Sequence, residues 1–203
     1  MMKEISMHIL DIVQNSICAN ANFVKIFVEE DIKNNLFKLE VIDNGSGMDA
    51  ETLKMVRNPF YTSRSVETRH HKKVGLGIPL LDQTCSQCGG KLEIESETES
   101  ELETEGKQNQ CTKITATMEY NHIDRPPIGD IAKTIYLTTI MNEDIDFIYI
   151  HKKDSKEFAI DTKEIKKVLG DISLKEQEVM MWIKSNIESG ILEMNQITER
   201  KWK

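Results

Sequence analysis

An α+β fold is predicted by three features of the sequence. Residues 3–19 carry apolar side chains at helical spacing, two short runs at 23–29 and 36–42 alternate apolar with polar residues, and a second alternating pair, 91–105 and 111–120, follows another helical segment. Beyond Pro126-Pro127 the pattern predicts a further small α+β unit, so two regions are expected, 1–121 and 122–203.

The elements follow in order. Ile5, Ile9, Ile12, Val13 and Ser16 fall on one face of the first helix. Asp31 to Asn35, ending in Asn-Asn, predicts a hairpin turn between the first two strands. Asp43-Asn-Gly-Ser-Gly47 ends the second strand, and Met48–Val56 reads as a short helix stopped before Asn58-Pro59. Residues 60–74 have no period and read as a mobile loop. Leu76–Cys88 fits a helix ended by Gly89-Gly90. From 91 to 105 every second residue from Glu93 is a glutamate, which puts all seven on one strand face; the hairpin to 111–120 would have its polar tip around Gly106. The C-terminal unit offers a helix near 129–141, strands near 145–151 and 157–161, and a short helix near 163–169. A last helix is expected to begin at the capping-box pattern Ser173-Leu-Lys-Glu176 and stop near Gly190.

Composition excludes several classes. With 34 acidic against 26 basic side chains the net charge is −8, which disfavours a nucleic-acid or anionic-membrane surface, and 39% apolar residues are enough for a core. No apolar run approaches the roughly 20 residues of a membrane span, and Met-Met-Lys-Glu-Ile-Ser lacks a signal-peptide layout, so a cytoplasmic protein is expected. The charge is uneven. Glu93–Glu105 holds seven acidic residues and no basic one, whereas 54–73 holds six basic side chains against Glu67 alone.

Chemistry concentrates in few places. A carboxylate at Asp43, where a strand ends, can accept a hydrogen bond from an exocyclic amine, and Gly45 and Gly47 let the backbone come close to a ligand; Asp-Asn-Gly is also an ordinary turn. Asp11 and Asn15 stand four apart on one helical face, and Gly75-Leu76-Gly77 opens a helix.

Taken in order, these stretches resemble the GHKL ATPases: gyrase, the heat-shock chaperone, histidine kinases and mismatch-repair ATPases. Asp11-Ile-Val-Gln-Asn15-Ser-Ile-Cys-Ala19 resembles the N box, and Asp43-Asn-Gly45-Ser-Gly47-Met48 the first glycine box. Asn58-Pro-Phe60-Tyr-Thr-Ser-Arg64 is similar to the phenylalanine segment of histidine kinases, Gly75-Leu-Gly77-Ile to their second glycine box, and Gly89–Ser96 with Thr112–Thr115 to the closing hairpin. The resemblance covers about residues 5–120. It implies a Bergerat-type two-layer α/β sandwich, a mixed sheet with helices on one face, binding ATP with Mg²⁺ under a flexible lid.

Carried over residue by residue, the resemblance implies that Asp43 accepts from the adenine amino group, Gly47 and Met48 line the base, and Thr112 helps contact it. Asn15 would hold Mg²⁺ through its side-chain oxygen, a fitting ligand for a hard cation. The amides of Leu76 and Gly77 would receive phosphate oxygens, as helix N-termini do. Arg64, Lys72 and Lys73 would be the lid cations facing the terminal phosphate. Asp11 would be the catalytic group, general base or water-positioner. The sequence also departs from the family pattern at several positions. Asp11 stands where a glutamate is usual and is one methylene shorter, so slow hydrolysis is expected. Cys18 replaces a frequent aspartate, Gln14 a frequent glutamate, and Lys73 the first glycine of the second box.

Ten residues precede Asp11, so a stand-alone ATP-binding domain is expected rather than a complete histidine kinase, similar to anti-sigma-factor serine kinases. The leading expectation is a cytoplasmic Mg-ATP-binding regulatory protein, acting on a partner in trans or hydrolysing ATP slowly, with residues 122–203 contacting a protein partner and a homodimer left open. Its rival is a non-catalytic ATP sensor or structural subunit. Cys85 and Cys88, with His70 and His71 nearby in sequence, raise a zinc or redox reading against a packed-core one.

Overall fold

The computed structural model describes residues 2–58, 76–98 and 112–196. Helix α1 (Ile5–Cys18) buries Ile5, Ile9, Ile12, Val13 and Ser16, the face predicted by period, together with Ser6 and His8. Its first turn has no side-chain cap. The orphan amides of Ile5 and Ser6 donate instead to the carbonyls of Pro127 and Ile128, both at 2.9 Å, so the connection after residue 120 caps the first helix.

Strands β1 (Phe23–Asp31) and β2 (Leu36–Asp43) bury every second side chain, as half-covered strands do. Their turn is closed by Asp31 Oδ1 accepting from Asn34 N at 2.9 Å, with Asn35 in the left-handed region at φ 55°. A short helix α2 (Ala50–Met55) is capped by Asp49, which accepts from Thr52 N. Then come α3 (Gly77–Gln87), β3 (Leu92–Ser96) and β4 (Thr112–Glu119). Of the glutamate ladder, Glu93 and Glu95 sit exposed on β3, Glu97 follows the strand, and Glu99–Glu105 and the tip at Gly106 lie outside the described residues.

The chain continues through α4 (Ile131–Met141), β5 (Asp146–Lys153), β6 (Lys156–Asp161), α5 (Thr162–Leu169) and α6 (Gln177–Gln196). The described strands form one six-stranded mixed sheet in the order β3-β4-β2-β1-β5-β6. β5 runs parallel to β1 from Phe23↔Asp146 to Glu30↔Lys153, and the other pairs are antiparallel. The boundary expected at 121 is therefore not a division of the sheet. Ile135, Phe147 and Ile183 share one apolar core with Ile9, Val24 and Leu39. α1 packs on β2 between α3 and α4, α4 packs on α6, and α3 and α6 cover the two wings of the sheet, which makes an α+β sandwich with helices on one face.

The last helix differs from the sequence expectation at both ends. It starts at Gln177, after a turn in which Lys175 N donates to Ser173 Oγ at 3.0 Å, and it runs through Gly190 to Gln196. Gly190 does not stop it because the residue serves packing. A β-carbon there would stand 2.1 Å from the Phe158 ring, so the missing side chain makes room for β6. Among the described residues no helix is long and apolar enough to cross a membrane.

Candidate functional site

Where β2 ends, Asp43 turns its carboxylate into the space beneath α1. It is buried, with Oδ2 accepting from Ser16 Oγ at 2.6 Å and Oδ1 from Gly45 N at 2.9 Å. Burial pushes the carboxyl above its ordinary range, opposed by these two donors. A carboxylate has about four acceptor positions, so with two taken Asp43 can still accept from an amino group. The glycines of the following turn are required by close approach. A β-carbon on Gly45 would lie 2.8 Å from that of Ala19, and one on Gly47, at φ +69°, would lie 1.9 Å from the Glu97 carbonyl oxygen.

Strand register extends the site sideways. Asp43 faces Thr112 across β2–β4, and Thr112 faces Ser96 across β4–β3, so the three side chains form a row on one face. Thr112 is buried, and its Oγ1 lies 2.9 Å from Ser96 Oγ, which also accepts from Met48 N at 2.9 Å. The turn Gly45–Met48 is thus fastened on one side to α1 and on the other to β3.

The same helix reaches a second group of predicted residues. Asp11 lies against the start of α3: a β-carbon on Gly77 would be 3.1 Å from Asp11 Cβ and 3.2 Å from Oδ2. Asn15 stands half-buried one turn further along α1, between Asp11 and the Ser16 contact to Asp43. Leu76 at the N-cap of α3 supplies no side-chain cap, which leaves the amides of the first turn to other acceptors. The structure therefore brings together Asp11, Asn15, Asp43, Gly45, Gly47, Met48, Leu76, Gly77 and Thr112 at one end of the sheet. Phe60, Arg64, Lys72, Lys73 and Gly75 lie outside the described residues, as do His70 and His71.

Two residues of this end, Ser16 and Ser96, lie inside the matched stretches but receive no role from sequence. Their contacts, Ser16 to Asp43 and Ser96 to Met48 and Thr112, join residues far apart in the chain and carry no local sequence signal.

Residues 3–121 match the family described as histidine kinase-, DNA gyrase B-, and HSP90-like ATPase. The chain belongs to that family. Similar curated proteins include a putative sensor protein of Shewanella frigidimarina, 32% identical over 89 residues, and sporulation kinase C of Bacillus subtilis, 37% identical over 59 residues. These alignments take in 43% and 29% of this chain but only 13% and 12% of those proteins. Among solved structures, the N-terminal domain of a DNA repair protein superposes with a TM-score of 0.52 at 18% identity, over 84% of this chain and 58% of that one. The Aquifex aeolicus MutL ATPase domain complexed with ADP superposes with a TM-score of 0.50 at 12% identity, over 83% of this chain and 70% of that one. At such identities the likeness of these structures to this GHKL chain is one of fold.

Other titratable groups lie away from this end. Cys85 and Cys88 are buried near the end of α3, and burial pushes the Cys85 thiol up to about 12, which keeps it protonated at neutral pH. Among the described residues no group of three His, Cys, Asp or Glu side chains is placed to hold a metal. His8 is fully buried on α1, 3.5 Å from Thr84 Oγ1, with no hydrogen-bond partner at Nδ1; burial lowers its pKa to about 4. At the opposite end of the sheet, buried Glu30 meets His151 Nε2 at 3.0 Å and Lys153 Nζ at 3.6 Å, and His151 Nδ1 meets Tyr149 Oη at 2.9 Å. Burial of Glu30 pushes its pKa up, but these partners outweigh it and hold the carboxyl below its ordinary range.

Proposed function

We propose that this end of the sheet binds Mg-ATP and that the chain is a cytoplasmic regulatory protein, transferring the terminal phosphoryl group to a partner in trans or releasing it slowly to water. The observation that carries the reading is that one helix spans both halves of the site. α1 touches Asp43 through Ser16 and the start of α3 through Asp11, about 7 Å of helix apart. Asp43 and Thr112 would take the adenine, with Gly45, Gly47 and Met48 forming the close wall. The first turn of α3 at Leu76 and Gly77 would take phosphate oxygens. Asn15, between the two, offers the amide oxygen that suits Mg²⁺, whose remaining ligands would be phosphates and water. Phe60, Arg64, Lys72, Lys73 and Gly75 belong to the same proposal through the motif order. Residues 122–203 would carry the contact to a protein partner, and a homodimer is compatible with this reading.

Asp11 would orient or deprotonate the attacking water. Its contact with Gly77 favours the second reading, a nucleotide sensor without turnover. A carboxylate resting at a helix start already occupies a position that favours negative charge.

Calorimetry with ATP and Mg²⁺ on wild type and Asp43→Asn tests binding, and a single-turnover assay with terminally labelled ATP tests chemistry. The proposal expects binding that Asp43→Asn weakens at least tenfold. No binding by the wild type overturns it, while binding with neither phosphate release nor labelled protein leaves the sensor reading.

A further inference from the structure

We infer that Ser96 is a positioning residue for base recognition: its hydroxyl clamps the Gly45–Met48 turn to Thr112, and the clamp sets the preference for adenine. The inference rests on the nucleotide site proposed above. Ser96 ends β3 and is half-buried, and it makes two contacts between the walls of the candidate base pocket. Its Oγ accepts from Met48 N at 2.9 Å and shares a hydrogen bond with Thr112 Oγ1, also at 2.9 Å. Thr112 in turn faces Asp43 in the β2–β4 register. The backbone beyond Ser96 adds a steric half to the clamp, because the Glu97 carbonyl lies where a β-carbon of Gly47 would be, at 1.9 Å. Turn and hairpin therefore approach closely, and the Ser96 hydroxyl and the bare Cα of Gly47 both take part in holding their relative position.

This geometry bears on selectivity. Adenine offers an amino group and, beside it, an acceptor nitrogen, whereas hypoxanthine offers a carbonyl and an N–H at the same two places. Asp43 can satisfy the amino group only if Thr112 and the Met48 turn stay at a fixed separation from it. Loss of the Ser96 hydroxyl releases both the Met48 amide and the Thr112 hydroxyl, so the pocket loses its fixed width rather than one contact to ligand. Ser96 itself needs no contact with nucleotide to act in this way.

The test compares ATP with inosine triphosphate. Binding of each, with Mg²⁺, is measured by calorimetry on the full chain for wild type, Ser96→Ala, Ser96→Thr and Asp43→Asn, alongside thermal unfolding. Ser96→Ala is expected to weaken ATP about tenfold, the effect of about one hydrogen bond, and to leave inosine triphosphate nearly unchanged, so that the ratio of the two affinities falls about tenfold. Ser96→Thr keeps a hydroxyl and is expected to restore the ratio. If Ser96→Ala is too unstable to titrate, Ser96→Cys keeps the volume with a poor hydrogen-bonding group and is read the same way. An unchanged ratio in Ser96→Ala, with ATP binding still sensitive to Asp43→Asn, overturns the role of Ser96 alone. Absence of ATP binding by the wild type, or binding indifferent to Asp43→Asn, overturns the nucleotide site and this role together.

Discussion

Asp11 of α1 lies against Gly77 in the first turn of α3, close enough that a β-carbon on residue 77 would come within 3.2 Å of the Asp11 Oδ2 oxygen. Gly77 is the first residue of α3, where helix propensity counts for less than in a helix interior, so alanine there gains well under about 1 kcal/mol while pressing on the carboxylate. Gly77→Ala is expected to keep its thermal midpoint within a few degrees and to lower any ATP turnover by about tenfold or more, since a small displacement of a catalytic group is costly. Asp11→Asn should abolish turnover and retain ATP binding. Single-turnover phosphate release and calorimetry on the same samples check both.

Ser16→Ala removes a donor to a buried carboxylate. Hydrogen bonds to charged groups contribute about 1.5–3 kcal/mol, and their loss leaves burial to act on Asp43 with only the Gly45 amide opposing it. The variant is expected to be about 2 kcal/mol less stable to urea and to bind ATP about tenfold more weakly. A variant as stable as wild type would mean that the 2.6 Å contact contributes nothing net.

Acid should destabilise the protein in two steps. His8 is buried neutral, with its pKa lowered to about 4 from 6.5, so the unfolded chain binds the proton more readily between those values. Its contribution is complete above about pH 6.5 and is lost as pH falls toward 4, amounting to about 3 kcal/mol. Glu30 works in the more acidic window: its carboxyl is held low in the fold, so stability present above its ordinary pKa of 4.5 is lost as pH falls through the folded value. Urea unfolding at intervals from about pH 7.5 to 3.5 should show this slope, and His8→Leu should flatten it between pH 6.5 and 4.

Glu30→Ala leaves His151 and Lys153 beside an empty acceptor position in a buried setting. Breaking such a cluster from one side costs about 3–5 kcal/mol, and Glu30→Gln, which keeps an acceptor, should cost less. The order of the two variants in denaturant checks whether the partners, rather than lost volume, carry the effect.

Gly190→Ala inverts the ordinary rule for helix interiors. Alanine should gain about 1 kcal/mol by propensity, but its β-carbon meets the Phe158 ring at 2.1 Å, and overpacking of this kind costs about 1–3 kcal/mol. A net loss of stability is expected, relieved when Phe158→Leu is combined with it.

Local order is well legible in the sequence, and long-range pairing is not. The period of α1 identifies Ile5, Ile9, Ile12, Val13 and Ser16 as its buried face, because a 3.6-residue repeat shows which side is covered. It does not show by what, so the bond from Ser16 to Asp43, 27 residues away, needs the fold. Glu30 shares the buried face of Val24, Ile26 and Val28, yet a glutamate at a strand end reads as solvated until His151, 121 residues later, is beside it. The parallel pairing of β5 on β1 is of the same kind: no turn links the two strands, so nothing local announces it. The capping box at Ser173 and the glycine at 190 carry the signatures of a helix start and a helix stop, but packing against Phe158 decides the second.

The parallel seam between β1 and β5 also bears on how the chain can be divided. The family match ends at residue 121, but a fragment ending there would leave β1 as a bare edge, its eight positions from Phe23 to Glu30 open to pairing with any other strand. It would also strip the start of α1 of the Pro127 and Ile128 carbonyls that hold it. A chain cut back to the homologous segment should therefore self-associate. The pairing partner of β1 and the acceptors at the start of α1 both come from sequence beyond the matched segment, which carries none of its motifs.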